Sequence, residues 1–115
     1  MPDVPDALME ARARVLHDLD VRGLADATVV SVLEEALQAR AWWLEQWPDG
    51  AEFVPGLVAQ DVQDSLLDTQ GRWPACTTCP VPAEHPLSID PPLGADPHWV
   101  CEETGIVAAP LGALA

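Results

Sequence analysis

The sequence contains no lysine, no asparagine and no tyrosine, and it has a single phenylalanine. Five arginines stand against 19 acidic residues, so the formal net charge of the 115-residue chain is −14. Nucleic-acid backbones and anionic membrane surfaces are bound through basic groups, so this shortage argues against direct contact with either. We expect a protein partner instead, and the charge permits a basic one. The abundance of Ala, Pro, Val, Leu and Asp is typical of a GC-rich genome.

Long apolar runs are missing as well. No window approaches the roughly 18 continuous apolar residues typical of a membrane-spanning helix. Residues 1–15 have neither a basic start nor an apolar stretch, so no signal peptide is expected. We therefore expect a cytoplasmic protein with reduced cysteines, which favours metal binding over disulfides. By length, residues 1–115 are expected to form one domain, with a helical part at 1–71 and a second part at 72–115.

Apolar residues in the first part recur at helical spacing and predict three amphipathic helices, at about 5–22, 27–47 and 55–70. Asp26 or Thr28 is expected to cap the second helix. The first helix carries basic groups that form either a contact strip or, as we prefer, a solvated face with local ion pairs. These groups are Arg12, Arg14, His17 and Arg22, and their acidic partners would be Glu10, Asp18 and Asp20.

Three tryptophans stand near the end of the second helix. Trp43 and Trp47 are one turn apart, and we predict that both pack inside. Trp42 points about 100° away and is predicted to be half exposed. An exposed Trp42 would alternatively mark a protein-binding surface, because tryptophan is enriched at interfaces. On the third helix, the three aspartates 61, 64 and 68 are interpreted as a solvated face rather than as metal ligands.

From Gly71 onward, prolines crowd the sequence and the helical spacing ends. Short strands are predicted at about 86–90, 98–101 and 105–109, with a turn at 91–97. The apolar tail at 105–111 is expected to pack against the helices as the last strand. The predicted fold class is therefore α+β, with three helices followed by a small three-stranded segment.

All three cysteines lie in this second part. Cys76 and Cys79 form a Cys-x2-Cys pair, which is the common half of a structural zinc site. Cys101 follows 22 positions after Cys79, and Thr104 stands where a fourth cysteine would complete a second pair. Zinc needs four ligands in a tetrahedron, so a histidine is expected to supply the fourth.

The geometry of the predicted hairpin indicates which of the two histidines in this part lies near the cysteines. If 91–97 is the turn, the numbers of paired residues sum to about 188, so that Cys101 faces Leu87 and His85 faces Glu103. His98 would lie at the far end of the hairpin, roughly 10 Å from Cys101 and on the opposite face of the sheet. We therefore prefer His85, with His98 as the alternative. The predicted zinc ligands are Cys76, Cys79, His85 and Cys101.

The segment from Trp73 to about Leu114 resembles the zinc-ribbon class, through Cys76-x2-Cys79, a short hairpin and Cys101 followed by Gly105. The runs 73–76, 85–87 and 99–101 are also similar to small uncharacterised proteins of GC-rich actinobacteria and their phages. Zinc ribbons commonly serve nucleic-acid machinery, so the resemblance implies that setting. However, no lysine or arginine follows Cys76, so the lack of positive charge argues against binding to the phosphates of nucleic acids.

The expected function is a non-enzymatic interaction or adaptor module, in which zinc fixes a proline-rich segment. Four protein ligands favour a structural over a catalytic site. Two alternatives stay open: a regulator of nucleic-acid machinery that acts by protein contact or acidic mimicry, and a thiol or zinc enzyme that uses the nearby Glu102 and Glu103. A disulfide or unliganded thiols would replace the metal site in a further interpretation.

Overall fold

The computed structural model describes residues 3–81 and 83–115. Within them, three α-helices precede a three-stranded sheet, which is the predicted α+β arrangement. The helices are α1 (Val4–Asp20), α2 (Ala27–Gln46) and α3 (Val54–Leu66), with a 3₁₀ helix at Pro48–Phe53 between α2 and α3. The strands are β1 (Leu87–Asp90), β2 (His98–Cys101) and β3 (Val107–Pro110).

The helix boundaries follow local chemistry. Asp26 caps α2 as expected, because its carboxylate accepts a hydrogen bond of 2.9 Å from the backbone N–H of Val29. The third helix ends earlier than predicted. The carbonyl of Leu66 accepts from the N–H groups of residues 69, 70 and 71, which closes a tight turn instead of continuing the helix. Gly71 then takes a φ of 82°, a conformation that favours glycine.

A single cluster of buried apolar side chains includes residues of all three helices and of the sheet. From α2 it includes Leu33, Leu37 and Leu44, which recur at helical spacing. The prediction that Trp47 packs inside is wrong, since its side chain is 44% exposed. The helix ends at Gln46, and Trp47 has a non-helical backbone conformation (φ −144°, ψ 78°), which takes its side chain out of the helical stripe.

The sheet is antiparallel, with the strands in the order β1-β2-β3. Leu87 pairs with Cys101 and Asp90 pairs with His98, so the predicted register of the hairpin is confirmed. An irregularity between Trp99 and Val100 interrupts the pairing of β2 with β3. Along β2, Trp99 and Cys101 are buried while the residues between and before them are only partly covered. Alternation therefore separates His98 from Cys101 as expected.

The apolar tail differs from its prediction. β3 pairs with β2, but its first residue, Val107, is 57% exposed, and Ile106 before it is exposed as well. The apolar side chains that reach the core come after the strand, at Leu111 and Leu114. The tail is thus fixed to the helices by the residues beyond β3 rather than by the strand. Among the described residues, no helix is both long and apolar enough to cross a bilayer.

Candidate metal centre

Two backbone segments carry Cys76 and His85 side by side. The N–H of Cys76 donates to the carbonyl of His85 at 2.9 Å, and the N–H of Leu87 donates to the carbonyl of Pro74 at 2.8 Å. These bonds pair residues 74–76 with residues 85–87 in antiparallel fashion. The chain between them carries Cys79 back toward His85. The proline-rich loop is therefore closed at its base by two hydrogen bonds.

Cys101 reaches the same place from the sheet. It is the last residue of β2 and pairs with Leu87, two residues after His85. The turn that follows is tight: the N–H of Gly105 donates to the carbonyl of Cys101, and the N–H of Cys101 donates to that of Ile106, both at 2.9 Å. Gly105 has a φ of 77°, which a side chain would strain. The predicted glycine of the knuckle thus has a structural reason.

The structure brings the four predicted ligand residues together. One ligand atom each from Cys76, Cys79, His85 and Cys101 lies within 4.8 Å of the other three. In a tetrahedral zinc site of ordinary bond lengths, the ligand atoms are about 3.5–4 Å apart. The cluster is compatible with such a site after small adjustments. His85 and Cys101 are buried, whereas Cys76 and Cys79 are partly exposed, so an ion has an approach from solvent. We call these four residues the Cys3His cluster.

The ring of His85 is oriented by its backbone surroundings. Its Nδ1 lies 2.7 Å from the carbonyl oxygen of Ala83, which can only accept, so Nδ1 carries a proton and donates it. The other nitrogen, Nε2, faces the cluster, at 2.9 Å from the sulfur of Cys79 and 3.2 Å from that of Cys101. A metal-ligating histidine has this arrangement, with one nitrogen held by an acceptor and the other free to coordinate.

Two threonines lie near the cysteines. The hydroxyl of Thr78 is 3.8 Å from the sulfur of Cys76. The hydroxyl oxygen of Thr104, in the turn after Cys101, accepts a hydrogen bond of 3.3 Å from the N–H of Ile106. Thr104 is the residue that stands in place of a fourth cysteine. The nitrogen that lies beside the sulfurs of Cys79 and Cys101 belongs instead to His85.

The three thiols of the Cys3His cluster differ in the direction of their pKa shifts. Burial raises the pKa of Cys76, but hydrogen bonds from the backbone of Thr78 and Cys79 outweigh it and lower that pKa to about 6. Burial also works to raise the pKa of Cys101, and hydrogen bonds from Thr104 and the backbone of residue 103 lower it overall. The pKa of Cys79 is raised by burial and by the neighbouring thiols. The cluster thus favours the thiolate form of Cys76, and the surroundings of Cys101 shift that thiol in the same direction.

The hydrogen bond to Ala83 raises the pKa of His85, burial opposes it, and the sulfurs of Cys101 and Cys76 add to the rise, which brings the value to about 9. Without a metal, His85 is therefore an imidazolium at neutral pH, in a cluster where Cys76 is a thiolate. A bound cation would take the place of the proton on Nε2. Such a site releases protons when a metal binds.

His98 lies elsewhere. Its Nδ1 is 3.0 Å from the carbonyl oxygen of Asp96, and it pairs with Asp90 at the turn end of the hairpin. The register alone predicted that His85 faces Glu103 across the sheet, and this prediction is wrong. The β1–β2 ladder begins at Leu87, and His85 pairs with the cysteine loop instead. Geometry thus brings His85, and not His98, to the three cysteines, while its role as a ligand stays a prediction.

The residue that sequence reasoning missed is Asp18. It was interpreted as part of a solvated face, but its side chain is fully buried. Its carboxylate accepts hydrogen bonds from Trp99 Nε1 at 2.8 Å, from the N–H of Gly112 at 2.7 Å and from the N–H of Leu114 at 3.1 Å. His17 Nδ1 lies 2.8 Å from the same carboxylate. One charged side chain of α1 thereby joins β2 and the C-terminal tail.

A periodic signal for Asp18 was present in the sequence. It follows Val15 by three positions and Ala11 by seven, so it continues the buried stripe of α1. The indole N–H of Trp73 donates to the carbonyl of Asp18 at 3.3 Å, and the ring of Trp73 packs edge-on against Trp99 at 5.3 Å. Both tryptophans belong to the segments that carry the cysteines. The buried carboxylate therefore fixes the surroundings of the Cys3His cluster to α1.

Three basic side chains of the predicted first helix have partners within the chain. Arg14 forms an ion pair with Glu10 on the same helix, as expected, whereas Arg12 binds Glu34 of α2 at 2.7 Å. Arg22 donates to the carbonyl of Ala75, next to Cys76, at 2.9 Å. The contact-strip interpretation is thus not needed for these arginines, and Arg22 links the end of α1 to the cysteine loop.

No curated protein and no solved structure showed significant similarity to this chain. A family model matches residues 4–111, a range that includes the three helices, the sheet and all four residues of the Cys3His cluster. The chain therefore belongs to the family described as domain of unknown function DUF8819.

Proposed function

We propose that the protein is a zinc-stabilised, non-catalytic interaction module. The observation that carries the proposal is the convergence of three cysteine sulfurs and the Nε2 of His85 within 4.8 Å. Soft sulfur ligands with one imidazole select zinc among the common divalent cations. His85 is already oriented by Ala83, so little reorganisation is needed for it to bind a metal.

The metal's task is to order the chain from about residue 72 to residue 86. Of the residues described between 74 and 84, only Pro74 is buried, so this loop has little apolar packing of its own. Two hydrogen bonds close its base. Binding of zinc to ligands on three backbone segments would supply the missing free energy, because metal-binding energy becomes folding energy when the site forms only in the folded state.

The donor set supports a structural rather than a catalytic metal. Three cysteines and one histidine fill a tetrahedron, whereas a catalytic zinc keeps a position for water or substrate. Glu102 and Glu103, which could serve as a base, are exposed in the turn after β2. The surplus of acidic groups points the search for partners toward proteins with basic surfaces, and free cysteines suit a reducing, cytoplasmic setting.

The first test is elemental analysis by mass spectrometry of the purified, untagged protein, together with a count of reactive thiols. We expect one zinc per chain and thiols that react only after a chelator is added. Cys101→Ser should lose the metal, while Thr77→Ser, an exposed change in the same loop, should keep it. A metal-free preparation with three freely reactive thiols would contradict the zinc site.

A second measurement tests what the metal does. Chelation should lower the melting temperature and reduce the near-ultraviolet circular dichroism of the packed pair Trp73 and Trp99. Far-ultraviolet helical signal should fall less, because none of the four ligand residues lies on α1, α2 or α3. Unchanged melting and unchanged tryptophan signals after complete zinc removal would refute a structural role. Proteins captured from native extract should be retained by the zinc-loaded protein and lost with Cys101→Ser.

A further inference from the structure

A groove runs between α2 and α3, with Trp42 at its edge. It encloses about 500 Å³ and shares no residue with the Cys3His cluster. Its lining includes Glu35, Ala36, Ala39 and Trp42 of α2, together with the facing pair Arg40 and Asp61. Trp42 is 65% exposed, an unusual position for the residue type with the largest apolar surface. The groove thus combines an exposed aromatic side chain with small residues that leave space beside it.

The floor of the groove is held rigid by an ion pair. Arg40 donates to both carboxylate oxygens of Asp61, at 2.7 and 2.9 Å, and so ties α2 to α3. The guanidinium also lies 5.2 Å from the centroid of the Trp43 ring. Bidentate pairs and stacked arginines are geometrically specific, so the spacing of the two helices is fixed before any partner arrives. A preformed groove lowers the ordering cost of binding.

The charge around the groove is unbalanced. Glu35 lines it and Glu45 lies one turn beyond Trp42, and both side chains are exposed. Neither forms an ion pair within the described residues. All five arginines of the chain already have partners: Arg12, Arg14 and Arg40 bind carboxylates, and Arg22 and Arg72 bind backbone carbonyls. The positive charge that complements this rim must therefore come from another molecule.

We propose that this groove binds a cationic amphipathic helix of a partner protein. The partner's apolar face would cover Trp42 and the small residues Ala36 and Ala39, and its Lys or Arg side chains would face Glu35 and Glu45. A crevice between two helices accepts a third helix by ridge-into-groove packing, and small residues permit close approach. A second copy of this chain is disfavoured as the occupant, because each copy carries a charge of −14.

This assignment rests on the proposed interaction function and names the surface and the class of partner. The two ideas fail separately. The groove contains no metal ligand, so a protein without zinc would refute the zinc-stabilised module and leave the groove to be tested by itself. Conversely, a zinc-loaded protein whose captured partners are unaffected by Trp42→Ala would keep the interaction role and refute this groove.

The probe for the experiment is a fluorescein-labelled amphipathic helix of about 14 residues, built from lysine and leucine. Its binding to the zinc-loaded protein is followed by fluorescence anisotropy at low and at physiological salt. A peptide with glutamate in place of lysine tests charge, and a scrambled lysine–leucine peptide tests the helical face. The protein variants are Trp42→Ala and Glu35→Gln, with Met9→Ala and Asp20→Asn as exposed controls away from the groove and from the Cys3His cluster.

Trp42→Ala should weaken binding of the helical lysine peptide by about tenfold or more, as expected for an aromatic anchor. Glu35→Gln should weaken it a few-fold and make the affinity less dependent on salt. Met9→Ala and Asp20→Asn should leave the affinity unchanged. Circular dichroism confirms that each variant is folded, and Trp42 is exposed enough that its replacement should leave the core intact.

Three results would overturn the proposal. One is that the helical lysine peptide does not bind the zinc-loaded protein. Another is that the two control variants weaken binding as much as the groove variants do, which would mean diffuse attraction to an acidic surface. The third is that the scrambled or the glutamate peptide binds as tightly as the helical lysine peptide, since the groove would then recognise neither the apolar face nor the charge.

Discussion

Asp18 has the most far-reaching contacts of any single side chain around the cluster. Its partners at Trp99, Gly112 and Leu114 lie 81, 94 and 96 positions away in the sequence. Its burial could have been predicted, because it lies on the apolar stripe of α1. Its partners could not, since no local pattern indicates which distant N–H groups will meet a buried carboxylate. A charged residue on the apolar face of a helix is therefore predicted to be buried and hydrogen-bonded, although the sequence does not identify its partners.

Replacement of Asp18 by asparagine should lower the free energy of unfolding by about 2–4 kcal/mol. The amide retains one oxygen but presents an NH2 group toward N–H donors, so buried donors lose their acceptor and charge-assisted bonds are lost. Urea denaturation followed by circular dichroism measures the effect. Asp20→Asn, an exposed change two positions away, should stay within about 0.5 kcal/mol. Equal stability of the two variants would mean that the buried carboxylate contributes nothing special.

The two histidines of the C-terminal part give a second prediction at this scale. His85→Ala should weaken zinc binding by roughly 100-fold or more, because it removes a ligand from the cluster. His98→Ala should change it little, since His98 contacts the carbonyl of Asp96 at the other end of the hairpin. Competition with a chromophoric zinc chelator measures both affinities. His85→Cys should restore most of the binding by replacing one soft ligand with another.

If His98→Ala were as harmful as His85→Ala, the choice of fourth ligand would be wrong. If neither mattered, the three cysteines alone, or a water in the fourth position, would hold the metal. That last outcome would also revive the enzyme alternative, because an open position is what a catalytic zinc requires.

Among the elements, the hairpin was predictable and the cysteine loop was not. Strand alternation and a proline-rich turn set the register that pairs Leu87 with Cys101. The pairing of residues 74–76 with residues 85–87 rests on two hydrogen bonds in a stretch without any periodic pattern. The 3₁₀ helix at Pro48–Phe53 and the outward orientation of the Trp47 side chain were likewise not predictable from a periodic pattern. Local periodicity predicts elements, but short tertiary pairings depend on the rest of the fold.

The pKa values of the Cys3His cluster predict how its affinity for zinc depends on pH. To coordinate zinc, His85 must lose the proton on Nε2, and its pKa of about 9 means that this proton is present at neutral pH. Cys79, with a raised pKa, must also lose a proton, whereas Cys76, with a pKa of about 6, is already a thiolate. Binding therefore releases protons, and the apparent affinity should rise as the pH increases from 6 to 9.

Calorimetry of zinc binding at about pH 7.5, in two buffers of different ionisation enthalpy, counts these protons. We expect at least two per zinc, one from His85 and one from Cys79. His98→Ala should leave the count unchanged, because His98 lies outside the cluster. A count near zero would mean that His85 is neutral before the metal arrives, and the imidazolium–thiolate arrangement would then be wrong.

For the whole molecule, charge is the property that the sequence predicts most directly. The net charge of −14 follows from counting residues. The structure shows in addition how few of the acidic side chains form ion pairs within the chain. Only three ion pairs between arginine and carboxylate occur in residues 3–81 and 83–115. The two pairs of α1 are largely exposed and contribute about 0–1 kcal/mol each, and with the part-buried pair of Arg40 and Asp61 they leave most acidic groups without a cationic partner. The folded protein should therefore be destabilised by its own charge at low ionic strength.

Salt should consequently stabilise the zinc-loaded protein. At about 0.01 M ionic strength charges interact over roughly 30 Å, a distance comparable with the molecule itself, and at about 0.5 M the range falls below 5 Å. We expect the melting temperature to rise by about 5 °C between these conditions, which corresponds to about 1 kcal/mol. Replacement of the exposed Glu52, Asp64 and Asp68 by their amides should raise the melting temperature at low salt and reduce the salt effect. A melting temperature that falls with salt would mean that the three arginine ion pairs outweigh the repulsion, and the charge would then be no reason to expect a basic partner.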